Sequence, residues 1–279
     1  MAAFRILGLG LDFPAISKEL GVEPSLTRRK GEHGLAQTTQ SEDVWCIDSP
    51  HSRSEPLDIH IKSLRRILMP HYDFLRGLQG KYDLSVYCGI TIQGDRGQFL
   101  VPPDALRLFV ELGIDMDLSL IFSGYSDLEA VNADAANAID PLRSEGSDAS
   151  FEVSGNPLDV SQIARTLGIG SSQTQRPGDA GFSGKLSPTN FWFLAAPVSR
   201  SSELDAHLRW FGTKLLPHVE FLKSLKTQCE MLIKCNFVTR SDTGGVVISA
   251  EGLKAMTELD INLDFNAFLI WRELTKASE

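Results

Sequence analysis

The chain has 279 residues, 42% of them hydrophobic and 23% charged, with a formal net charge of −9 at pH 7. That length exceeds the usual single-domain size and points to two domains, and the composition is ordinary for a soluble globular chain. No apolar run approaches the ~20 residues of a transmembrane helix, the start Met1-Ala2-Ala3-Phe4-Arg5 lacks a signal-peptide pattern, and no basic footprint for nucleic acid is present, so the expected setting is cytoplasmic, with neither a membrane nor a nucleic-acid partner.

In chain order, Phe4–Leu9 reads as a short strand and Pro14–Leu20 as a helix that stops at Gly21, where a left-handed residue commonly ends a helix. A glycine-bearing loop then leads to a strand around Trp45. Leu57, Ile61, Leu64, Leu68, His71, Leu75 and Leu78 alternate by four and three, which is one apolar stripe on a long helix. Pro70 is expected to kink or split it. Leu84, Val86, Cys88, Ile90 and Ile92 alternate with polar or small residues as a strand half-buried on one face. Asp95-Arg96-Gly97 reads as a turn, from which Phe99–Val101 returns as the next strand. A helix follows from about Asp104 to Leu112, and a closing strand carries Ile114, Met116, Leu118, Leu120 and Phe122 on one face.

Adding 147 to each residue number maps this pattern onto the second half without a gap. Trp45 meets Trp192, Ser52-Arg53-Ser54 meets Ser199-Arg200-Ser201, Pro70-His71 meets Pro217-His218, and Cys88 meets Cys235; more than thirty positions are identical. A tandem duplication follows: residues 1–122 form one α+β repeat and 151–279 the other, each with elements in the order βαβαββαβ. The alternation predicts an antiparallel or mixed sheet with helices on one face, and each copy is long enough to close its own core. Residues 123–150 hold one basic and six acidic residues and read as a solvated linker, with a marginal helical turn over Ala130–Ile139. The two copies are expected to pack on each other as a pseudo-dimer.

The run Leu20-Gly21, the loop Thr27-x-Arg29-x-Gly31-Glu32, the Trp45 strand, Leu57-Asp58-x-His60 and Leu112-Gly113-Ile114-Asp115 together resemble the bacterial domain of unknown function 4279 family. The second copy carries the same marks as Thr174-x-Arg176-x-Gly178-Asp179, Trp192 and Leu204-Asp205-x-His207, and departs from them at Asp260. The resemblance implies the domain and brings no activity or catalytic residue with it.

Several polar groups stand out as candidate binding residues. Arg29 with Glu32, and Arg176 with Asp179, either clamp a ligand anion or a partner's backbone, or fix a loop through an ion pair, and the second arrangement is the commoner. His60 and His207 sit near helix starts. Asp58 and His60 lie two apart and do not face each other on a helix; Asp58 suits the positive helix N-terminus. His71, inside the apolar stripe, reads as a core histidine. Asp117 and Asp264 project from the polar face of the closing strand, where a solvated face is the default. Cysteine spacing offers no metal site, and no catalytic or nucleotide-binding motif occurs, so no catalytic residue, metal or cofactor is expected. The function expected is non-catalytic contact with another protein, a toxin-neutralising partner being the concrete version. The alternative is a small-ligand binder or sensor, and an enzyme of unknown reaction ranks third.

Overall fold

The computed structural model describes residues 1–32, 40–124, 145–180 and 186–270. In the first repeat, strand β1 (Ala2–Gly8) leads to helix α1 (Phe13–Leu20), strands β2 (Leu26–Arg28) and β3 (Asp43–Asp48), and helices α2 (Leu57–Leu68) and α3 (Tyr72–Leu78). Strands β4 (Asp83–Gln93) and β5 (Arg96–Val101), helix α4 (Pro103–Leu112) and strand β6 (Asp115–Ser123) complete it. The second repeat has the same order: β7 (Gly146–Gly155), α5 (Val160–Leu167), β8 (Gln173–Gln175), β9 (Asn190–Ala195), α6 (Leu204–Leu215), α7 (Val219–Leu225), β10 (Cys229–Thr239), β11 (Thr243–Ile248), α8 (Ala250–Leu259) and β12 (Asn262–Leu269).

Local sequence explains the element ends. Asp12 caps α1 by accepting from the Ala15 amide at 3.0 Å, and Asp159 caps α5 by accepting from the Ser161 and Gln162 amides at 3.0 Å each. Gly21 and Gly168 stop these helices in the left-handed region, at φ 63° and 64°. The long apolar stripe is split as the prolines require: single 3-10 turns at Met69–His71 and Leu216–His218 separate α2 from α3 and α6 from α7.

The strands form two mixed sheets of six, in the orders β11-β6-β4-β1-β3-β2 and β5-β12-β10-β7-β9-β8. Only the β4–β6 and β10–β12 pairs among them are parallel. Each sheet takes its last strand from the other repeat: β11 pairs antiparallel with β6, and β5 pairs antiparallel with β12. The crossing is abrupt. The Gly94 amide still donates to the Ser123 carbonyl of its own repeat at 2.8 Å, whereas the Asp95 carbonyl already accepts from Leu269 of the other at 2.8 Å. Parallel neighbours such as β4 and β6 need a crossover connection, and here that crossover includes a strand laid into the second sheet before α4 returns.

Several expectations change accordingly. Phe99–Val101 is a strand, yet it does not fold back on the preceding one. Neither copy closes a core alone: buried side chains of both repeats, among them Val101, Phe109, Ile248, Leu253 and Met256, belong to one contiguous cluster. The stretch Ser144–Ser150 was expected as linker, but from Gly146 onward it is strand, paired with β10 as far as Val238. The backbone pairing with β10 places Ser147 and Ala149 on the buried face. The helical turn expected at Ala130–Ile139 and the chain from residue 271 lie outside the described residues. Trp45 and Trp192 are fully buried, so they anchor the core.

Candidate functional site

The motif Arg-x-Gly-acid is a tight turn in both repeats. The Glu32 amide donates to the Arg29 carbonyl at 3.1 Å and the Asp179 amide to the Arg176 carbonyl at 3.0 Å. Gly31 and Gly178 occupy the third turn position with φ of 87° and 90°, the conformation that a type II turn reserves for glycine. Pro177 fits the second position, where its ring already fixes the negative φ the turn needs. The acid at the fourth position does not pair with the arginine side chain in the first repeat: Glu32 is exposed. In the second repeat the Asp179 carboxylate instead accepts from the Arg176 amide at 2.7 Å.

Arg29 reaches a residue that sequence reasoning passed over. Its Nη1 donates to Asp43 Oδ2 at 2.9 Å and to the Leu11 carbonyl at 2.6 Å, while its guanidinium lies 3.7 Å from the centre of the Phe13 ring. Asp43 also accepts from the amides of Gly10 (2.9 Å), Leu11 (3.0 Å) and Lys30 (2.9 Å). These donors, led by the Lys30 amide, hold its carboxyl below the ordinary carboxylate range. One carboxylate thus ties the end of β1, the start of α1 and the 29–32 turn together. The second repeat has Asn190 at the matching position, bonded to Asn156 Oδ1 at 2.9 Å through its Nδ2. Arg176 is exposed and has no side-chain ion pair among the described residues.

The histidines are interior. His60 is 1% exposed and His207 fully buried. His207 Nε2 lies 3.2 Å from the Ser199 carbonyl. A carbonyl only accepts, so Nε2 carries the proton and Nδ1 is left without one. His60 faces the backbone of Ser52, the counterpart of Ser199, and of Glu55, though neither ring nitrogen reaches them in good hydrogen-bond geometry; the His51 ring lies edge-on with centroids 6.0 Å apart. Burial is the main reason both imidazoles lose basicity relative to the usual 6.5. Asp58 faces away and pairs with Lys62 at 2.9 Å, so no Asp–His dyad forms. His71, expected in the core, is only half-buried, because the 3-10 turn at Pro70 rotates it off the stripe that Leu68 and Leu75 continue. The core histidines are the pair near the helix starts.

Asp117 and Asp264 lie on the helix-free faces of the two sheets, and neither is simply solvated. Asp117 forms an ion pair with Arg5, whose guanidinium also sits 4.8 Å from the Tyr87 ring centre. Asp264 is 5% exposed and accepts from Gln98 Nε2 at 3.1 Å on both oxygens, a partner delivered by the exchanged strand. In the second repeat the positions of Arg5 and Tyr87 become Glu152 and Lys234, themselves paired at 3.0 Å. The candidate residues therefore scatter over three places: the Arg29 turn, the buried histidines and the helix-free faces.

Chemistry elsewhere is muted. Burial raises the Cys46 thiol to about 11 and the Cys88 thiol to about 12, which removes thiolate character at neutral pH. Among the described residues no group of three or more His, Cys, Asp or Glu is placed to hold a metal ion. A depression of about 670 Å³ runs along α1, lined by Phe13, Ser17, Val22 and Thr27, and lies open to solvent. Among the described residues no helix is long and apolar enough to cross a membrane.

The family described as Domain of unknown function (DUF4279) matches residues 1–123 and 144–268. The chain belongs to this family and carries two tandem copies of its domain. Among curated proteins, none matches the chain.

Proposed function

We propose that this protein acts without catalysis, by contact with another protein through the helix-free faces of its sheets. The observation that carries the reading is the make-up of the first sheet's outer face. Leu26, Ile121 and Val247 are 40%, 41% and 51% exposed there, around the Arg5–Asp117 pair and the Tyr87 ring. Apolar side chains surrounding an aromatic residue and an arginine match the composition enriched in protein interfaces. The second sheet's outer face adds Leu100, 47% exposed, with Phe268. The net charge of −9, of which residues 123–150 carry −5, attracts a basic partner at long range, and neutralisation of a basic toxin is the concrete form of the proposal. The reciprocal strand exchange supports a pseudo-dimer of the two repeats, and four unpaired cysteines agree with a cytoplasmic setting.

The test is capture with the full chain and with an Ile121→Glu, Val247→Glu variant whose fold is checked by circular dichroism. A partner bound by the first and lost by the second supports the reading. No partner, or one that survives the substitutions, overturns it.

Small-ligand binding is the second reading, favoured by the depression along α1 beside the Arg29–Phe13 stack. Its openness counts against it, because ligand sites usually enclose most of what they bind. Stabilisation across a metabolite panel in thermal shift supports this alternative.

A further inference from the structure

We infer that each repeat is a strand-exchange binding module whose partner is a second repeat of the same fold, supplied here within one chain and acceptable from another. Val247 belongs to both the outer face and the seam, but the seam is made by backbone pairing between repeats and needs no bound partner.

Three observations carry it. The exchange is reciprocal and identical in register. Val247 lies opposite Asp117 and Ile248 opposite Met116 in one seam; Leu100 lies opposite Asp264 and Val101 opposite Leu263 in the other. Each of these residues is displaced by 147 from its counterpart, so donor and acceptor are general properties of the repeat and not an accident of one copy. The crossing point is also duplicated: the Asp95 carbonyl accepts from Leu269, and the Asp242 carbonyl accepts from Phe122, at 2.8 Å in both cases. Finally, the exchanged strand is needed by its host. Removing it leaves β6 or β12 as an open edge with unpaired backbone groups, and exposes Ile248 or Val101 respectively, both fully buried. Without the donor a repeat has an incomplete sheet; without the acceptor its donor strand has no ladder partner.

The two seams differ in chemistry while sharing geometry. Between β5 and β12, Phe99 stacks on Phe265 with ring centres 4.9 Å apart and planes 12° from parallel, and Gln98 bonds Asp264. Between β11 and β6 Val246 lies opposite Leu118 in place of the ring stack, and Gly245, at the place of Gln98, has no side chain to offer Asp117, which pairs with Arg5 instead. The first seam therefore holds the substitutions that test recognition.

The experiment uses the whole chain with a protease site placed between residues 125 and 144, cleaved after folding. The two halves are expected to travel as one 1:1 species in size-exclusion chromatography and native mass spectrometry. Mixing cleaved chain with an isotopically labelled cleaved chain is expected to give hybrids of one light and one heavy half. Gln98→Ala is expected to weaken association of the halves roughly three- to tenfold, and Phe99→Ala roughly tenfold or more. Halves that elute as separate species in size-exclusion chromatography, folded or aggregated, overturn the inference. So does a cleaved complex that never forms hybrids, or one whose affinity ignores both substitutions, since its cohesion then rests on helix contacts alone.

Discussion

Ile248 offers the sharpest test of how the two repeats are coupled. By sequence it belongs to the second repeat, but it lies in the first sheet opposite Met116 and is fully buried. Ile248→Ala removes three carbons from that position. At about 0.8 kcal/mol per buried methylene the transfer loss alone is about 2.4 kcal/mol, and the cavity left behind raises the total to about 3–4 kcal/mol. If the repeats folded independently, that loss would fall on one of them. The contiguous core and the exchanged strands instead make a single cooperative unit, so both repeats should lose the same stability. Urea unfolding read by pulsed hydrogen exchange and mass spectrometry separates peptides from β1–β4 and from β7–β10. The expected result is one transition, displaced equally in both sets. A loss seen in one repeat only, or below about 1 kcal/mol, refutes the reasoning.

Two further outcomes follow from the buried polar groups. His60 and His207 are held neutral by burial, with affinities for protons below the usual 6.5. The unfolded chain binds those protons more readily, so stability is unaffected above about pH 6.5 and falls as pH drops through that value toward the depressed folded one. His207→Gln keeps a donor for the Ser199 carbonyl and should flatten part of this fall, measured as urea midpoints between about pH 7 and 5; an unchanged slope refutes the assignment. Asp43→Ala strips the acceptor from the amides of Gly10, Leu11 and Lys30, which should then exchange faster than in the wild type while amides in β12 do not change. Uniform acceleration across the chain would instead mark a global loss of stability.

Much of the architecture was legible because it is written in local patterns. The shared register of 147 identified the duplication, the glycines at 21 and 168 ended their helices, and Pro70 and Pro217 split theirs. The strand exchange was not legible, and the reason is physical. Alternation in Arg96–Val101 identifies a strand and which of its faces is apolar, but not the edge to which it bonds. Gly94 and Asp95 suit a two-residue hairpin as well as they suit a crossing between sheets. The end of the linker was missed because Ser147 and Ala149 are small and sit among polar residues, so burial there leaves no hydropathy signal. Asp43 was hidden for another reason: it lies 14 residues from Arg29 in sequence, and comparison of the copies discounts it because Asn190 replaces it.

What the two copies kept and what they changed separates scaffold from surface. The exchange register, the aspartate caps at 12 and 159, the split helices and the buried histidines are common to both. The differences fall at one buried loop tie, at one helix end and on the outer faces. Asp43 becomes Asn190, and the left-handed helix end at Gly113 becomes Asp260, held at φ 53° with its carboxylate 2.7 Å from Lys226. On the outer faces Arg5 becomes Glu152, which inverts the charge at that place, and Tyr87 becomes Lys234, which puts a cation where the first face has a neutral ring. Two separate but identical repeats assembled through the same exchange would present two equal outer faces. Fusion into one chain frees each face to change alone, because the acceptor edge and donor strand are conserved independently of the residues that point away from the helices. A partner that reads Arg5, Tyr87 and Val247 on the first face therefore meets a face of different charge on the second. The proposed contact is accordingly one partner per chain, despite the duplicated fold.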